Sequence, residues 1–241
     1  MLTVESGDGL SLVIPAYNEK AAISKTINEA IRYFELQKLP FEIIVVADGN
    51  DGTREFLRDW AKTETRLRVL GSEARSGKGK GVREGILSAK MKYVGFTDAD
   101  NKTPIEEFDK FFPKLKSGAS IVIGSRAKKG AQIDNPQPWY RRIGSRGFSA
   151  YLRCVLGLWS IPDTQCGFKF FKTDVAKEIF SEMRIQGYMF DVELLHLAAK
   201  KKLQIVQIPV RWRDDGDSRL DLFSGNLKNA QDILKIRFNL A

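Results

Sequence analysis

The sequence predicts an α/β chain: a mostly parallel sheet flanked by helices. Short apolar, β-branched runs alternate with longer amphipathic stretches along the first half. The runs end abruptly in polar residues, several of them acidic. Hydrophobic residues make up 43% of 241, enough for one sizeable core, so a single domain spanning 1–241 is expected. Strand–helix alternation requires crossover connections, hence parallel strands with helices on both faces. In such sheets ligands bind beyond the carboxyl ends of the strands.

The elements follow in order. "LSLVIPA" (10–16) reads as a buried strand and "EKAAISKTINEAIRYFE" (19–35) as an amphipathic helix. "FEIIVVAD" (41–48) and "DGTREFLRDWAKTE" (51–64) repeat the pair, as do "LRVLGS" (67–72) and "GKGVREGILSAKM" (79–91). "YVGFTDAD" (93–100) leads to "PIEEFDKFFPKLKS" (104–117) and then to the strand "SIVIGSR" (120–126). Beyond about residue 130 the pattern changes. "GAQIDNPQP" (130–138) reads as a loop, and "WYRRIGSRGFSAYLRCVLGLW" (139–159) has roughly helical spacing. "CGFKFFK" (166–172) is a strand, "FDVELLHLAAKKK" (190–202) a helix, "LQIVQIPVRW" (203–212) a strand and 221–241 an amphipathic final helix.

Composition removes several function classes. Net charge is +9 and the pI about 9.5, which favours phosphates of some kind. There is no zinc-finger spacing, aromatic RNA-binding signature or Lys/Arg block, so nucleic acid is not an expected partner. No apolar run is long enough to span a bilayer, and the first residues do not read as a secretory signal. Cys154 and Cys166 fit neither a metal site nor a disulfide scaffold, so a cytoplasmic setting is expected, and the sequon at Asn101 is read as accidental.

The sharpest local feature is the run Val94–Asn101, where a core strand ends on Asp98 and Asp100. Residues i and i+2 of extended chain point the same way, so two like charges would face one another unless a cation separates them. Mg²⁺ or Mn²⁺ suits such a pair, taking one or two carboxylates and completing its shell with water and phosphate oxygens; a solvated turn is the bland alternative. The glycine-rich, basic "RSGKGKGVREG" (75–85) suits a phosphate-binding helix start or, equally, a surface turn; it is not a P-loop, because glycine follows Lys78. His196, the only histidine, has apolar helix neighbours and reads as packing, and no Ser or Cys sits in a nucleophile elbow. Asp191 either caps its helix or faces the site.

Taken together, "VIPAYNE", "VVADGNDGT", "GKGKGVREG", "FTDADN" and "IGSR" resemble, in order, the GT-A fold family 2 glycosyltransferases. "DTQCGFKFF", "FDVELL" and "WRDDGDSRL" are similar to the dolichyl-phosphate β-glucosyltransferases and their mannose synthase relatives. The resemblance implies a nucleotide-sugar-binding half (1–128) and an acceptor-side half (129–241). It implies that Pro15, Tyr17, Glu19, Asp48, Lys80 and Ala99 serve the nucleotide sugar, with Asp98 and Asp100 meeting the ribose and diphosphate through the metal. Arg213, Ser218 and Arg219 would close over that diphosphate, and Arg126, Arg141 and Ser145 would hold the lipid phosphate. Asp163 and Gln165 fall in the acceptor-side motif, Asp163 as a candidate catalytic residue beside Asp98, Asp100 and Arg213.

The activity so implied is inverting hexose transfer, UDP-glucose preferred, to dolichyl or polyprenyl phosphate at the cytoplasmic face of a membrane, with residues 146–159 in the interface. The runners-up are GDP-mannose or another UDP-sugar as donor, a polysaccharide or lipid hydroxyl as acceptor with Asp163 or Asp191 as base, and a non-catalytic nucleotide- or phospholipid-binding protein. Three departures from the family pattern stand out. Ala47 occupies a position where relatives often carry a second Asp, Lys102 one where some have a metal-contacting Gln, and many relatives have transmembrane helices whereas this sequence offers no run read as one.

Overall fold

The structure, a computed structural model, describes residues 1–134, 139–213 and 224–238; for 139–146 and 224–227 only the helical course of the backbone is described. Five strands, β1 (Leu10–Tyr17), β2 (Phe41–Asp48), β3 (Leu67–Leu70), β4 (Tyr93–Thr97) and β5 (Ile121–Ser125), come first. Helices α1 (Ile23–Gln37), α2 (Thr53–Trp60), α3 (Lys78–Ser88) and α4 (Phe108–Lys116) connect them in the predicted order. Then follow β6 (Gln132–Asp134), α5 (Trp139–Leu156), β7 (Phe168–Lys172), α6 (Thr173–Glu182), α7 (Phe190–Lys200), β8 (Ile205–Pro209), β9 (Arg211–Arg213) and α8 (Ser224–Phe238).

Seven strands form the main sheet in the order β3-β2-β1-β4-β7-β5-β8. All run parallel except β7, which lies antiparallel between β4 and β5. The order turns back between β1 and β4, and the crevice at that switch point is where an open α/β sheet takes its ligand.

Strand alternation sorts side chains to two cores. Leu10, Leu12, Ile14 and Ala16 of β1 face one side with Phe41, Ile43, Val45 and Ala47 of β2, beneath α1 and α4. Ile23, Ile27, Ala30 and Phe34 supply α1's apolar stripe, and Phe108, Phe111, Phe112 and Leu115 that of α4, at helical spacing. Phe168 and Phe170 of β7 meet α4 edge-on or tilted, with ring centroids 4.7–5.5 Å apart. Phe170 lies over Gly95, where any Cβ would collide with its ring. The opposite face carries Val13, Ile44, Val46, Val94, Phe96 and Phe171 beneath α3, α5, α6, α7 and α8.

Three expectations change. Helix α6 lies in a stretch assigned to no element, and its Ala176, Ile179 and Phe180 are buried. The predicted loop at 130–138 contains β6, paired parallel with β9, so the single strand expected over 203–212 is two: at Val210 the chain leaves the sheet for this ribbon. In the stretch 146–159, Leu152, Leu156 and Leu158 belong to the core, leaving Tyr151 and Trp159 exposed. The final helix buries Ile233 and Ile236 and exposes Leu234 and Phe238, whereas Leu222, Phe223 and Leu227 lie outside the described side chains. Among the described residues no helix is long and apolar enough to cross a membrane.

Candidate active site

A cleft of about 640 Å³ opens at the carboxyl ends of β1, β2, β4 and β5. Pro15, Tyr17, Glu19, Asp48, Asp98, Ala99, Asp100, Arg126 and Gln165, all singled out from the sequence, line it; so do Lys78, Asp191 and Trp212.

The two acids are not related by strand pleat. β4 ends at Thr97, and Asp98–Asn101 is a turn closed by the Asn101 N–H on the Asp98 carbonyl at 3.3 Å. Asn101 lies in the left-handed region at φ +51, which Asn tolerates, and its amide donates to Glu29. The Thr26 hydroxyl donates to the Ala99 carbonyl at 2.6 Å, pinning the turn to α1. Both carboxylates reach the cleft by this route. Asp98 is bonded to Lys78 Nζ at 2.5 Å, and Asp100 to Lys102 Nζ at 3.4 Å. Burial and the charge of Asp98 together push the Asp100 carboxyl up, against the pull of Lys102. Behind Asp98 stands Gly167, where any Cβ would strike the carboxylate.

Two anionic oxygen donors pressed together in this way fit a hard divalent cation. Among the described residues no third Asp, Glu, His or Cys gathers with them, so phosphate oxygens and water would complete its shell.

The glycine-rich loop works differently from a phosphate cradle. The first amides of α3 are already used: the Gly79 and Lys80 N–H groups donate to the Gln186 carbonyl at 2.8 and 3.3 Å. Gly77 (φ +101) and Gly79 let segment 185–187 approach; a Cβ on Gly79 would lie 2.6 Å from the Ile185 carbonyl oxygen. Glu193 holds that segment, accepting from the Arg184 and Ile185 N–H groups at 2.8–3.2 Å. The lysine delivered to the cleft is therefore Lys78. Lys80 points along α3 to Glu84 at 3.7 Å and does not line the cleft. Burial alone would lower Lys78's pKa, but Asp98, Asp191 and Asp100 outweigh it and keep the ammonium charged well above neutrality.

A second ion pair lies beneath. Lys169, from β7, is fully buried and donates to Asp191 Oδ1 at 2.5 Å and to the Cys166 carbonyl at 2.7 Å, 5.4 Å from the centre of the Phe96 ring. Asp191 sits in the first turn of α7, where negative charge is favoured, but makes no side-chain cap; it faces the cleft. Burial pushes its carboxyl up, while Lys169 and Lys78 pull it down. Burial likewise pushes the Cys166 thiol up to about 11, which makes it inert.

Asp163 and Arg126 form a third pair. Asp163 accepts from Arg126 Nε and N–H at 2.8 Å and from Nη2 at 2.9 Å. Burial would raise this carboxyl, but the guanidinium holds it below the ordinary range. Asp48 holds the loop after β3, accepting from the Ser72 and Ser76 N–H groups at 3.2 and 2.9 Å and from the Ser76 hydroxyl. Nearby, the Arg75 guanidinium lies 4.5 Å over the Tyr17 ring. Arg213 ends β9, its N–H on the Lys102 carbonyl at 2.9 Å. The side chains of Arg141 and Ser145, and all of Ser218 and Arg219, lie outside the described residues. His196 is buried among α7's neighbours, away from the cleft, as its apolar context implies.

Sequence reading missed Lys78 and Lys169. A signal for Lys78 was present, because α3 starts there and its first residue faces the strand ends. Lys169 carried only a weak one, a lysine inside the aromatic run of "CGFKFF".

The chain is similar to known proteins in sequence and in fold. The profile of Glycosyl transferase family 2 matches residues 11–180. A dolichyl-phosphate beta-glucosyltransferase of Trichomonas vaginalis is 35% identical over 238 residues, spanning 94% of this chain and 70% of the relative. The enzyme of that name from Saccharomyces cerevisiae is 32% identical over 250 residues, spanning 95% and 74%. Among solved structures, glucosyl-3-phosphoglycerate synthase of Mycobacterium tuberculosis with Mn²⁺ and UDP-glucose superposes with TM-score 0.68 at 21% identity, over 96% of this chain and 79% of that one. Mannosyl-3-phosphoglycerate synthase of Rubrobacter xylanophilus gives TM-score 0.68 at 16% identity, over 97% and 74%. These two likenesses are of fold.

Proposed function

Because the chain belongs to glycosyl transferase family 2, we propose that it transfers glucose from UDP-glucose to the phosphate of dolichyl phosphate, inverting the anomeric carbon to give a β-linked lipid phosphate sugar. Relatives bearing that activity in their names match it nearly end to end.

One observation in the cleft carries the choice of a phosphate acceptor. A hydroxyl nucleophile needs a base, and the two acids suited to that task are both engaged: Asp163 by Arg126 and Asp191 by Lys169. A phosphate monoester has its second pKa near 6 and is already ionised at neutral pH. It needs to be held rather than deprotonated, and Arg126, fixed by Asp163, offers the charge to hold it, joined in this reading by Arg141 and Ser145.

On the donor side, Tyr17, Glu19 and the loop tethered by Asp48 frame the nucleoside end. Asp98 and Asp100 would hold Mg²⁺ or Mn²⁺, which when bound supplies positive charge to the departing diphosphate. Lys78 and Lys102, each beside one of those acids, add fixed positive charge where negative charge accumulates in the transition state. Arg213, Ser218 and Arg219 complete the donor side in this reading. Attack by the acceptor oxygen from the face opposite the diphosphate inverts the centre.

The protein works as a peripheral enzyme on the cytoplasmic face of a membrane, a reading supported by its +9 charge and by Trp159, 64% exposed at the end of the α5 segment. The test is a set of labelled UDP- and GDP-sugars incubated with dolichyl phosphate and Mg²⁺ or Mn²⁺. Lipid-extractable label from UDP-glucose is expected. Label only from GDP-mannose would overturn the donor. A rate that falls on protonation of a carboxylate, with an alcohol as acceptor, would overturn the acceptor.

A further inference from the structure

Trp212 lies on the border between the two phosphate-binding sides of the cleft. Its indole centre is 5.2 Å from the Arg126 guanidinium carbon and 5.9 Å from Lys102 Nζ. These cations have different partners: Arg126 is forked onto Asp163, and Lys102 leans on Asp100. One ring thus touches the acceptor-side cation and the donor-side cation together. An aromatic ring attracts cations electrostatically, so one indole lying against both offsets part of their mutual repulsion.

The ring is held from the backbone. Trp212 is the middle residue of β9, in register with Ile133 of β6. The Gln132 N–H donates to the Val210 carbonyl at 3.1 Å, and the Arg213 N–H to the Lys102 carbonyl at 2.9 Å. The two-stranded ribbon is thereby stitched directly to the turn that carries Asp98 and Asp100. Neither strand buries much apolar surface: β6 is exposed throughout and β9 half-buried. A hydrophobic role therefore explains the ribbon poorly, whereas placing one ring between two cations explains both its short length and its tether.

We propose that Trp212 is a positioning residue that couples the two halves of the reaction: it sets Arg126 and Lys102 as a pair, so that the acceptor phosphate is gripped in register with the donor diphosphate. The inference rests on the transferase reading above.

The experiment is a double-mutant cycle in the full chain with W212L, K102M and the double variant, plus W212F, assayed for glucose transfer at varied dolichyl phosphate. W212L is expected to raise the acceptor KM about tenfold, the scale of a desolvated cation–aromatic contact, while W212F keeps it within about threefold. In the W212L background K102M is expected to cost less than in the wild type, because the pair is already uncoupled. Thermal unfolding is recorded throughout; should W212L fail to fold, W212M replaces it in the same cycle. Additive effects of W212L and K102M, or an acceptor KM unmoved by loss of the ring, would overturn the coupling. A wild-type protein that labels no dolichyl phosphate would instead overturn the transferase reading itself.

Discussion

Replacing Lys169 with Met tests how the site is supported from below. Met matches the length of the lysine stem, so the cavity left is small, but Asp191 loses its buried partner and the Cys166 carbonyl its donor. Removing one member of a buried ion pair costs about 3–5 kcal/mol, because the other charge is left uncompensated. For a chain of this length each kcal/mol lowers Tm by about 2–4 °C, so a fall of roughly 6–20 °C is expected. The sign of the pH dependence follows from Asp191. Burial already raises its carboxyl and Lys169 pulls it down, so in the variant the folded-state pKa moves further above the unfolded value. In that window the folded state binds the extra proton, and stability declines as pH rises. The defect is therefore smaller at about pH 5 than at about pH 8, where Asp191 must either ionise without its partner or take up a proton. Adding D191L should recover most of the loss, since an apolar pair often replaces a buried ion pair at little cost. Circular dichroism melting at both pH values is the assay. A K169M variant melting within about 3 °C of the wild type at the higher pH, or a deeper loss on adding D191L, would refute this account of the pair.

Other substitutions probe the cleft directly. K78M should lower kcat about 100-fold, the usual scale for one lost transition-state charge partner, while K80M should leave it within about twofold; steady-state kinetics of the two variants decide between the lysines. G167A forces the Asp98 carboxylate to move, so transfer should fall by about 100-fold with little change in Tm. D100N should abolish transfer while leaving the melting curve intact, and chelation of divalent ions should silence the wild type until Mn²⁺ or Mg²⁺ is restored, both read by lipid-extractable label.

How much of this was legible beforehand depended on where each side chain's partner lies in sequence. The first five strands and four helices declare themselves because each carries its own periodicity, as in Ile23, Ile27, Ala30 and Phe34 of α1. The acids at the end of β4 were readable for the same reason: charge stops an apolar run. Helix α6 was missed although its apolar residues are helically spaced. β6 is three exposed residues whose strand character comes only from β9, about eighty positions away. Lys169 lies inside an aromatic run, and its partner Asp191 is twenty-two residues on. The loop at 75–85 has the composition of an anion cradle, yet its Gly77 and Gly79 make room for Ile185–Gly187, a contact that only tertiary structure creates.

The reversed strand β7 carries a consequence for biosynthesis. Among the described residues β5 pairs only with β7 and β8, and β4 gains its second neighbour only from β7. A ribosome that has released the first 130 residues has therefore emitted β5 with no strand to join and β4 with one edge bare. Unpaired, apolar edges recruit other chains, so such a nascent chain is a natural client for chaperones until residue 172 emerges. Translation that stalls before that point should yield aggregates rather than a half-built enzyme.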